Sequence, residues 1–159
     1  MARSSSSSTR WLTPLEQRAW QAFVAVSTVV NAELEAELQA AHGMSMGEYG
    51  VLAVLSGAPD QRLRMTDLAR LLHLSPSGLT RRLDLLVRHG LVAREACESD
   101  RRAVYAVLTP VGRGRLETAA PDHVTGVRRH LIDHLDEDQL RNLAESLEAV
   151  QAACDDEPV

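Results

Sequence analysis

The side chains best suited to bind anions and base edges lie in one short run, Ser75-Pro76-Ser77-Gly78-Leu79-Thr80-Arg81-Arg82. Ser75 is a typical N-cap residue, and Pro76 is favoured at the first helical position. Hydroxyls and backbone N–H groups at a helix N-terminus bind phosphate, and arginine forms forked hydrogen bonds with guanine. We therefore predict a short helix whose N-terminal half contacts duplex DNA.

Helical geometry divides this segment into two sides. At about 100° per residue, its polar side chains fall within an arc of about 100°: Ser77, Thr80, Arg81, Asp84 and Arg88. The apolar side chains occupy the opposite side: Leu79, Leu83, Leu86 and Val87. We predict that Ser75 and Ser77 contact phosphate, that Thr80 and Arg81 contact bases, and that Arg82 and Arg88 contact the DNA backbone.

Charge is distributed unevenly along the chain. Residues 62–115 contain eleven arginines and five acidic residues, a formal charge of +6 within a protein of net charge −5. Phosphate binding requires such a basic region, because each cationic contact releases counterions from DNA. A solvated arginine-rich surface is the alternative explanation for the charge alone.

A second polar group, Asp100-Arg101-Arg102, lies between two strand-like runs, residues 91–96 and 103–108. This pattern predicts a β-hairpin with a charged tip. The two cysteines, Cys97 in the tip and Cys154 near the end, have no paired spacing, which indicates a reducing compartment and no disulfide framework.

Cap residues and apolar spacing predict the helices around these groups. Thr13-Pro14 opens a helix to about His42, and Ser45 with Glu48 opens a second that stops near Gly57. Thr66 is expected to cap a third helix over 67–73, Thr109-Pro110 to open a fifth to about Leu135, and Asp136 to cap a sixth. The predicted fold is mainly α with a small β-hairpin wing.

Five short motifs occur in order along the chain: Met65-Thr66-Asp67-Leu68-Ala69, Ser75-x-Ser77-x-x-Thr80-Arg81, Gly90-Leu91-Val92, Asp100-Arg101-Arg102 and Leu108-Thr109-x-x-Gly112. These motifs and the order of the predicted elements resemble the MarR family of bacterial transcription regulators. It covers nearly the whole chain after a Ser-rich tail, residues 1–11, which we expect to be disordered.

The resemblance implies one domain over residues 12–154. Residues 45–108 form its winged helix-turn-helix lobe, which binds DNA, and residues 12–43 and 110–154 form its dimerisation helices. It further implies a homodimeric repressor of an inverted-repeat operator. In the wing, the family pairs Asp100 with Arg102, which enters the minor groove, while Arg101 contacts phosphate. Many relatives carry an acid where this chain has Cys97, so the wing geometry departs from the family pattern there.

Family members commonly bind a small aromatic or phenolic effector between the two lobes, and the candidates here are Trp20, His42 and Tyr49. As an alternative, Trp11 and Trp20 pack in the dimer interface or in a lid. Metal or thiol sensing in the same fold is an alternative. His123, His130 and His134 fall within about 40° on the predicted fifth helix, but Glu or Cys ligands to complete a site are not evident, and no metal is expected. Cys97 lacks the placement of the family's peroxide-sensing cysteine.

No enzyme signature is present in the sequence: there is no nucleophile elbow, phosphate-binding glycine loop or HExxH motif. We expect a non-enzyme without a cofactor. The absence of long apolar runs predicts a cytoplasmic protein with no membrane contact. A winged-helix module that binds proteins rather than DNA remains a second alternative.

Overall fold

The computed structural model describes residues 9–96 and 103–155. Six helices, three strands and two short 3₁₀ turns make up this part of the chain. The helices are α1 (Pro14–His42), α2 (Met46–Gly57), α3 (Met65–Leu71), α4 (Pro76–Arg88), α5 (Pro110–His130) and α6 (Glu137–Asp155). The strands are β1 (Arg62–Arg64), β2 (Val92–Ala96) and β3 (Val104–Leu108), and the 3₁₀ turns are Pro59–Gln61 and Ile132–His134. The mainly α fold with a small wing is confirmed.

Helices α1 and α2 begin at capping boxes, as the sequence predicts. Thr13 accepts a hydrogen bond from the backbone of Glu16, whose side chain accepts one from the backbone of Thr13. Ser45 and Glu48 repeat this exchange at the start of α2. Gly43 ends α1 in the left-handed conformation at φ 56°, where a residue without Cβ is favoured. Local sequence therefore sets the ends of both helices.

The helix-turn-helix differs from its prediction at both ends of α3, which runs over Met65–Leu71 instead of 67–73. Helix α3 starts at Met65, and its N-cap is Arg64, which makes no side-chain capping bond. The prediction that Thr66 caps this helix is wrong, because strand β1 leads directly into α3 and Arg64 already has the extended conformation of an N-cap. Helix α4 begins as predicted, with the Ser75 hydroxyl accepting a hydrogen bond from the backbone N–H of Gly78 at 3.1 Å.

The wing is a three-stranded antiparallel sheet rather than a two-stranded hairpin. Its strand order is β1-β3-β2, so β3 is central. Arg64 pairs with Tyr105, which pairs in turn with Glu95 on β2. Strand β1 was missed because three residues are too short for a periodic signal, and it forms only by pairing with β3, about forty residues later in the chain.

Helix α5 ends earlier than predicted, at His130 instead of about Leu135. Pro121 lies inside the helix without ending it. His134 belongs to the following 3₁₀ turn, so the predicted stripe of three histidines on one helix is wrong. The Asp136 side chain accepts a hydrogen bond from the backbone of Gln139 at 2.8 Å, which confirms it as the cap of α6.

The hydrophobic core lies beneath α4 and the sheet, and side chains from α2, α3, α4, β2, β3 and α5 meet there. Its fully buried members include Leu52, Leu55, Leu68, Leu83 and Ala106. Because α4 packs on this core and the sheet packs beside it, the core fixes the position of the predicted DNA-contacting helix relative to the wing.

None of the helices in the described part of the chain combines the length and apolarity needed to cross a lipid bilayer.

Candidate nucleic-acid interface

Helix α4 is strongly amphipathic. Leu79, Leu83 and Leu86 are almost completely buried in the core. The side chains predicted to contact DNA are exposed on the other side: Ser75, Ser77, Thr80, Arg81 and Arg88. We call this side, together with Asp84, the polar face of α4. The exposure of the polar face and the burial of the leucines agree with the two sides predicted from helical spacing.

The first turn of α4 presents an ordered set of hydroxyls. Besides capping the helix, the Ser75 oxygen lies 3.3 Å from the Ser77 oxygen. The Thr80 hydroxyl donates to the carbonyl of Pro76 at 2.9 Å, which orients its oxygen while leaving it able to accept a hydrogen bond. These side chains are positioned by the helix itself, as DNA contact requires.

Arg82 lies apart from the polar face. Its side chain is partly buried, and a Cβ placed on Gly47 would lie 2.7 Å from the Arg82 guanidinium carbon. The missing side chain at Gly47 thus makes room for this arginine beside the first turn of α2. Sequence spacing within α4 could not reveal this neighbour, because Gly47 lies on another helix.

The tip of the wing, with Asp100, Arg101, Arg102 and Cys97, lies outside the described residues. At the base of the wing, a groove of about 560 Å³ separates the sheet from α3 and α4. Residues that line it include Arg64, Thr66, Thr80 and Arg94. The apolar side chains of Met65, Ala103 and Val104 complete the lining, so the groove combines basic and polar groups with apolar surface.

The three effector candidates do not form one site within the chain. Trp20 is exposed and contacts Phe23, with ring centroids 6.2 Å apart. His42 lies 22 residues later on α1, about 33 Å along the helix axis at 1.5 Å per residue. Tyr49 instead contacts His123 on α5, with ring centroids 4.3 Å apart. Only His42 and Tyr49 share a neighbourhood, where α1, α2 and α5 meet.

Polar contacts join these helices at that place. His42 Nε2 lies 2.8 Å from an Asp122 oxygen, and Arg115 donates to the backbone carbonyl of His42. Burial lowers the pKa of His123 and raises that of Tyr49. His123 Nδ1 is buried and has no hydrogen-bond partner among the described residues. His123 is therefore best accommodated in its neutral form.

A groove of about 530 Å³ lies next to this junction, between α1 and α5. Leu34, Leu38, His123 and Arg129 contribute to its walls. The groove offers both apolar and charged contacts.

Two glutamates of α1 lie next to a histidine of α5, a cluster that the sequence did not predict. Ligand atoms of Glu33, Glu37 and His130 lie within 4.8 Å of one another. Glu37 already forms an ion pair with Arg129 and a hydrogen bond with His130, and the His130 hydrogen bond is the main cause of the lowered pKa of Glu37. In the sequence, the spacing of four residues between Glu33 and Glu37 indicates that they share one side of α1. It does not indicate that this side lies next to His130 on α5.

The fold, the exposed polar face of α4 and the arginine-lined wing base define the class of this protein: a winged helix-turn-helix protein. Comparisons with known proteins identify the family. The MarR family model matches residues 42–103. The chain is 33% identical to the transcriptional repressor YetL of Bacillus subtilis over 100 residues, 63% of this chain and 60% of YetL. It is 30% identical to the transcriptional regulator MhqR of the same species over 109 residues, 69% of this chain and 73% of MhqR.

Two solved structures from Streptomyces coelicolor are similar along most of the chain. AbsC, a MarR family regulator, is 39% identical with a TM-score of 0.89, and the match covers 94% of this chain and all of AbsC. Sco3205, a family member solved in complex with DNA, is 36% identical with a TM-score of 0.87, over 91% of each chain. The chain belongs to the MarR family and is a transcriptional regulator. The predictions of this family and of a non-enzyme are confirmed.

Proposed function

We propose that this regulator binds duplex DNA sequence-specifically through α4 and the wing, as a homodimer. The observation that carries the proposal is the exposure of hydroxyls and guanidinium groups along one side of α4, while its leucines are buried on the other side. The similarity to Sco3205, which was solved with DNA, supports it. A major groove about 12 Å wide accepts the N-terminal half of such a helix.

Each residue of the polar face has a proposed role. Arg81 contacts a guanine edge, and Thr80 contacts a neighbouring base. Ser75 and Ser77 hydrogen-bond phosphate at the positive end of the helix dipole. Arg88 contacts the DNA backbone.

Two further groups complete the proposed interface. Arg82 contributes to phosphate binding from the junction of α4 with α2, where its guanidinium lies beside Gly47. In the wing, the proposal assigns Arg102 to the minor groove with Asp100 as its partner, and Arg101 to phosphate. Phosphate contacts position the protein, whereas base contacts provide its specificity.

Exposed apolar side chains on the terminal helices support the homodimer. On α1, Leu15, Trp20, Phe23 and Val29 are each more than half exposed, and Trp11 just before the helix is 84% exposed. On α6, Leu147 and Val150 are also exposed. Among the described elements, α6 packs extensively against none. Such apolar surface is covered in an obligate dimer, so residues 12–43 and 110–154 are proposed as the dimerisation lobe.

A two-fold dimer presents two α4 helices to the same face of DNA, so the operator is proposed to be an inverted repeat with half-sites one helical turn apart. Repression is the proposed outcome, in line with the name of YetL. A small aromatic or phenolic ligand is proposed to relieve it, with His42 and Tyr49 at the junction of the lobes and Trp20 at the dimer surface as candidate contacts.

The test is selection of duplexes from a random pool, followed by fluorescence anisotropy with the selected duplex and a scrambled duplex at physiological salt. A preference of about a thousandfold or more is expected for specific binding. Arg81→Ala should reduce this preference, because a forked guanine contact contributes about 1–3 kcal/mol of discrimination. Arg141→Ala, an exposed arginine on α6, is the matched control.

Equal binding of the two duplexes by the wild-type protein would contradict the proposal. It would favour a winged-helix module that binds another protein. If Arg81→Ala lost the same affinity for both duplexes, only the base contact proposed for Arg81 would be refuted.

A further inference from the structure

An ion pair joins the wing to the DNA-contacting helix. Arg94, the third residue of β2, places Nη1 at 2.8 Å from an Asp84 carboxylate oxygen on α4. Its Nη2 donates to the backbone carbonyl of Thr80 at 3.3 Å. One guanidinium therefore spans two successive turns of α4, and we call this contact the Arg94 bridge.

The sheet register directs Arg94 toward α4. Arg94 pairs with Ala106 on β3, which pairs with Leu63 on β1. Ala106 is completely buried, so this side of the sheet faces the core. Glu95, the next residue, lies on the opposite side of the sheet. Its carboxylate forms an ion pair with the Arg62 guanidinium, with 3.7 Å between Oε2 and Nη1.

The bridge acts at a place where it can set the direction of the wing. Helix α4 and strand β2 are joined through Gly90, and the backbone N–H of Leu91 bonds the carbonyl of Leu86. The turn and the core, which includes Val92 and Ala106, already hold the sheet beside α4. Arg94 adds a polar attachment to α4 further along β2, toward the tip, and this restricts movement of that part of the strand relative to α4.

The bridge also changes the charge of the polar face. Asp84 is the acidic member of that face, among side chains proposed to approach phosphates. A carboxylate close to DNA phosphates is repelled, and an arginine at 2.8 Å offsets most of this repulsion.

We infer that Arg94 is a positioning residue for DNA binding: its bridge to Asp84 and Thr80 holds the wing at a fixed angle to α4 and neutralises Asp84 on the polar face. This inference rests on the proposed DNA-binding function. It adds two residues, Arg94 and Asp84, that act on affinity without a required contact to a base.

Hydrogen exchange of the DNA-free protein tests the mechanical part. Arg94→Ala should speed amide exchange in Val92–Ala96 and Val104–Leu108 by about fivefold, the factor that corresponds to about 1 kcal/mol at 25 °C. Arg113→Ala is the control, because Arg113 is an exposed arginine on α5, outside the sheet, whereas Arg62 contacts both probed strands through Glu95 and the Tyr105 ring. Equal exchange in both variants would overturn the bridge as an attachment of the wing.

The salt dependence of DNA binding tests the charge part, and any duplex the protein binds can serve as probe. Asp84→Asn raises the net charge of the interface by one, and Arg94→Ala lowers it by one. We expect the slope of log affinity against log salt to become steeper by about one unit in the first variant and shallower by about one in the second. The double variant should return to the wild-type slope. A residue with only a structural role would not shift the slopes in opposite directions.

Affinities for the selected duplex complete the test. Arg94→Ala should weaken binding about tenfold and Asp84→Asn about threefold or less, because the second variant also removes a repulsive charge. The double variant should lose no more than Arg94→Ala alone, whereas independent residues would give the product, about thirtyfold. A multiplicative loss would overturn the inference. If the wild-type protein bound no duplex at all, the proposed function itself would fail, and the exchange experiment would still decide whether the bridge holds the wing.

Discussion

Replacing Gly112 by alanine should destabilise the protein severely, because helix α5 passes the turn before the wing with no space for a side chain. A Cβ on Gly112 would lie 2.0 Å from the carbonyl oxygen of Leu91 and 2.9 Å from a methyl group of Leu108. Ordinary contact begins at 3.4 Å, so the helix and the turn must separate by about 1.4 Å. Thr109 also holds this turn, since its hydroxyl donates to the carbonyl of Gly90 at 2.7 Å.

The expected cost follows from the nature of the clash. Its partner is backbone rather than a flexible side-chain end, so relief requires movement of a whole element. Overpacking in cores costs about 1–3 kcal/mol, and we expect Gly112→Ala to lie at the upper end of that range. At about 2–4 °C per kcal/mol for a domain of this size, the melting temperature should fall by about 6–12 °C.

Denaturant and thermal unfolding, followed by circular dichroism at one protein concentration, provide the assay. Gly114→Ala is the matched control, because Gly114 lies two residues later in α5 and a Cβ there would meet nothing within 4 Å. That variant should be neutral or stabilising by up to about 1 kcal/mol, since alanine is favoured over glycine in helices. If Gly112→Ala were as stable as Gly114→Ala, the close approach of α5 to Leu91 would be refuted.

Further predictions concern pH and assembly. The pKa of His123 is lowered by burial, so its neutral form stabilises the fold and this contribution is lost as pH falls below the unfolded value of about 6.5. His123→Gln should therefore lose less unfolding free energy between pH 7 and 5.5 than wild type in chemical denaturation, and equal losses would contradict this. The pKa of Glu37 is lowered, so its ionised form stabilises the fold above about pH 4.5 and this stabilisation is lost at lower pH. In chemical denaturation, Glu37→Gln should therefore make the free energy of unfolding less dependent on pH in that acidic range only, and an unchanged pH dependence there would contradict this. Phe23→Asp should shift the protein from dimer to monomer in light scattering after size exclusion, whereas Gln21→Asp, on another side of α1, should not; an unchanged dimer in Phe23→Asp would refute this use of the α1 surface.

Local sequence predicted the features that depend on neighbouring residues. The capping pairs of α1 and α2 satisfy backbone groups within four residues, so Thr13 and Ser45 identified the helix starts correctly. The two sides of α4 followed from helical spacing, and the burial of Leu79 and Leu83 confirms them. The five short motifs, taken in their order along the chain, were also sufficient to identify the family.

The contacts that organise the interface depend on residues far apart in the chain, and only the tertiary structure decided them. Strand β1 exists because Arg64 pairs with Tyr105, and that pairing displaced the predicted cap at Thr66. Arg94 gained its role from a strand register that turns it toward Asp84. In these cases local propensity was weak, and packing against a distant element determined the outcome.

The same division holds for the candidate effector and histidine residues. The sequence identified Trp20, His42 and Tyr49 by type, but the length of α1 separates Trp20 from the other two within one chain. It placed His134 on a helix that ends at His130. Residue types and short spacings thus determined the family, the helix starts and the polar face of α4. The docking of α5, the third strand and the Arg94 bridge were decided by the tertiary structure, because long-range contacts leave no periodic signal in a single sequence.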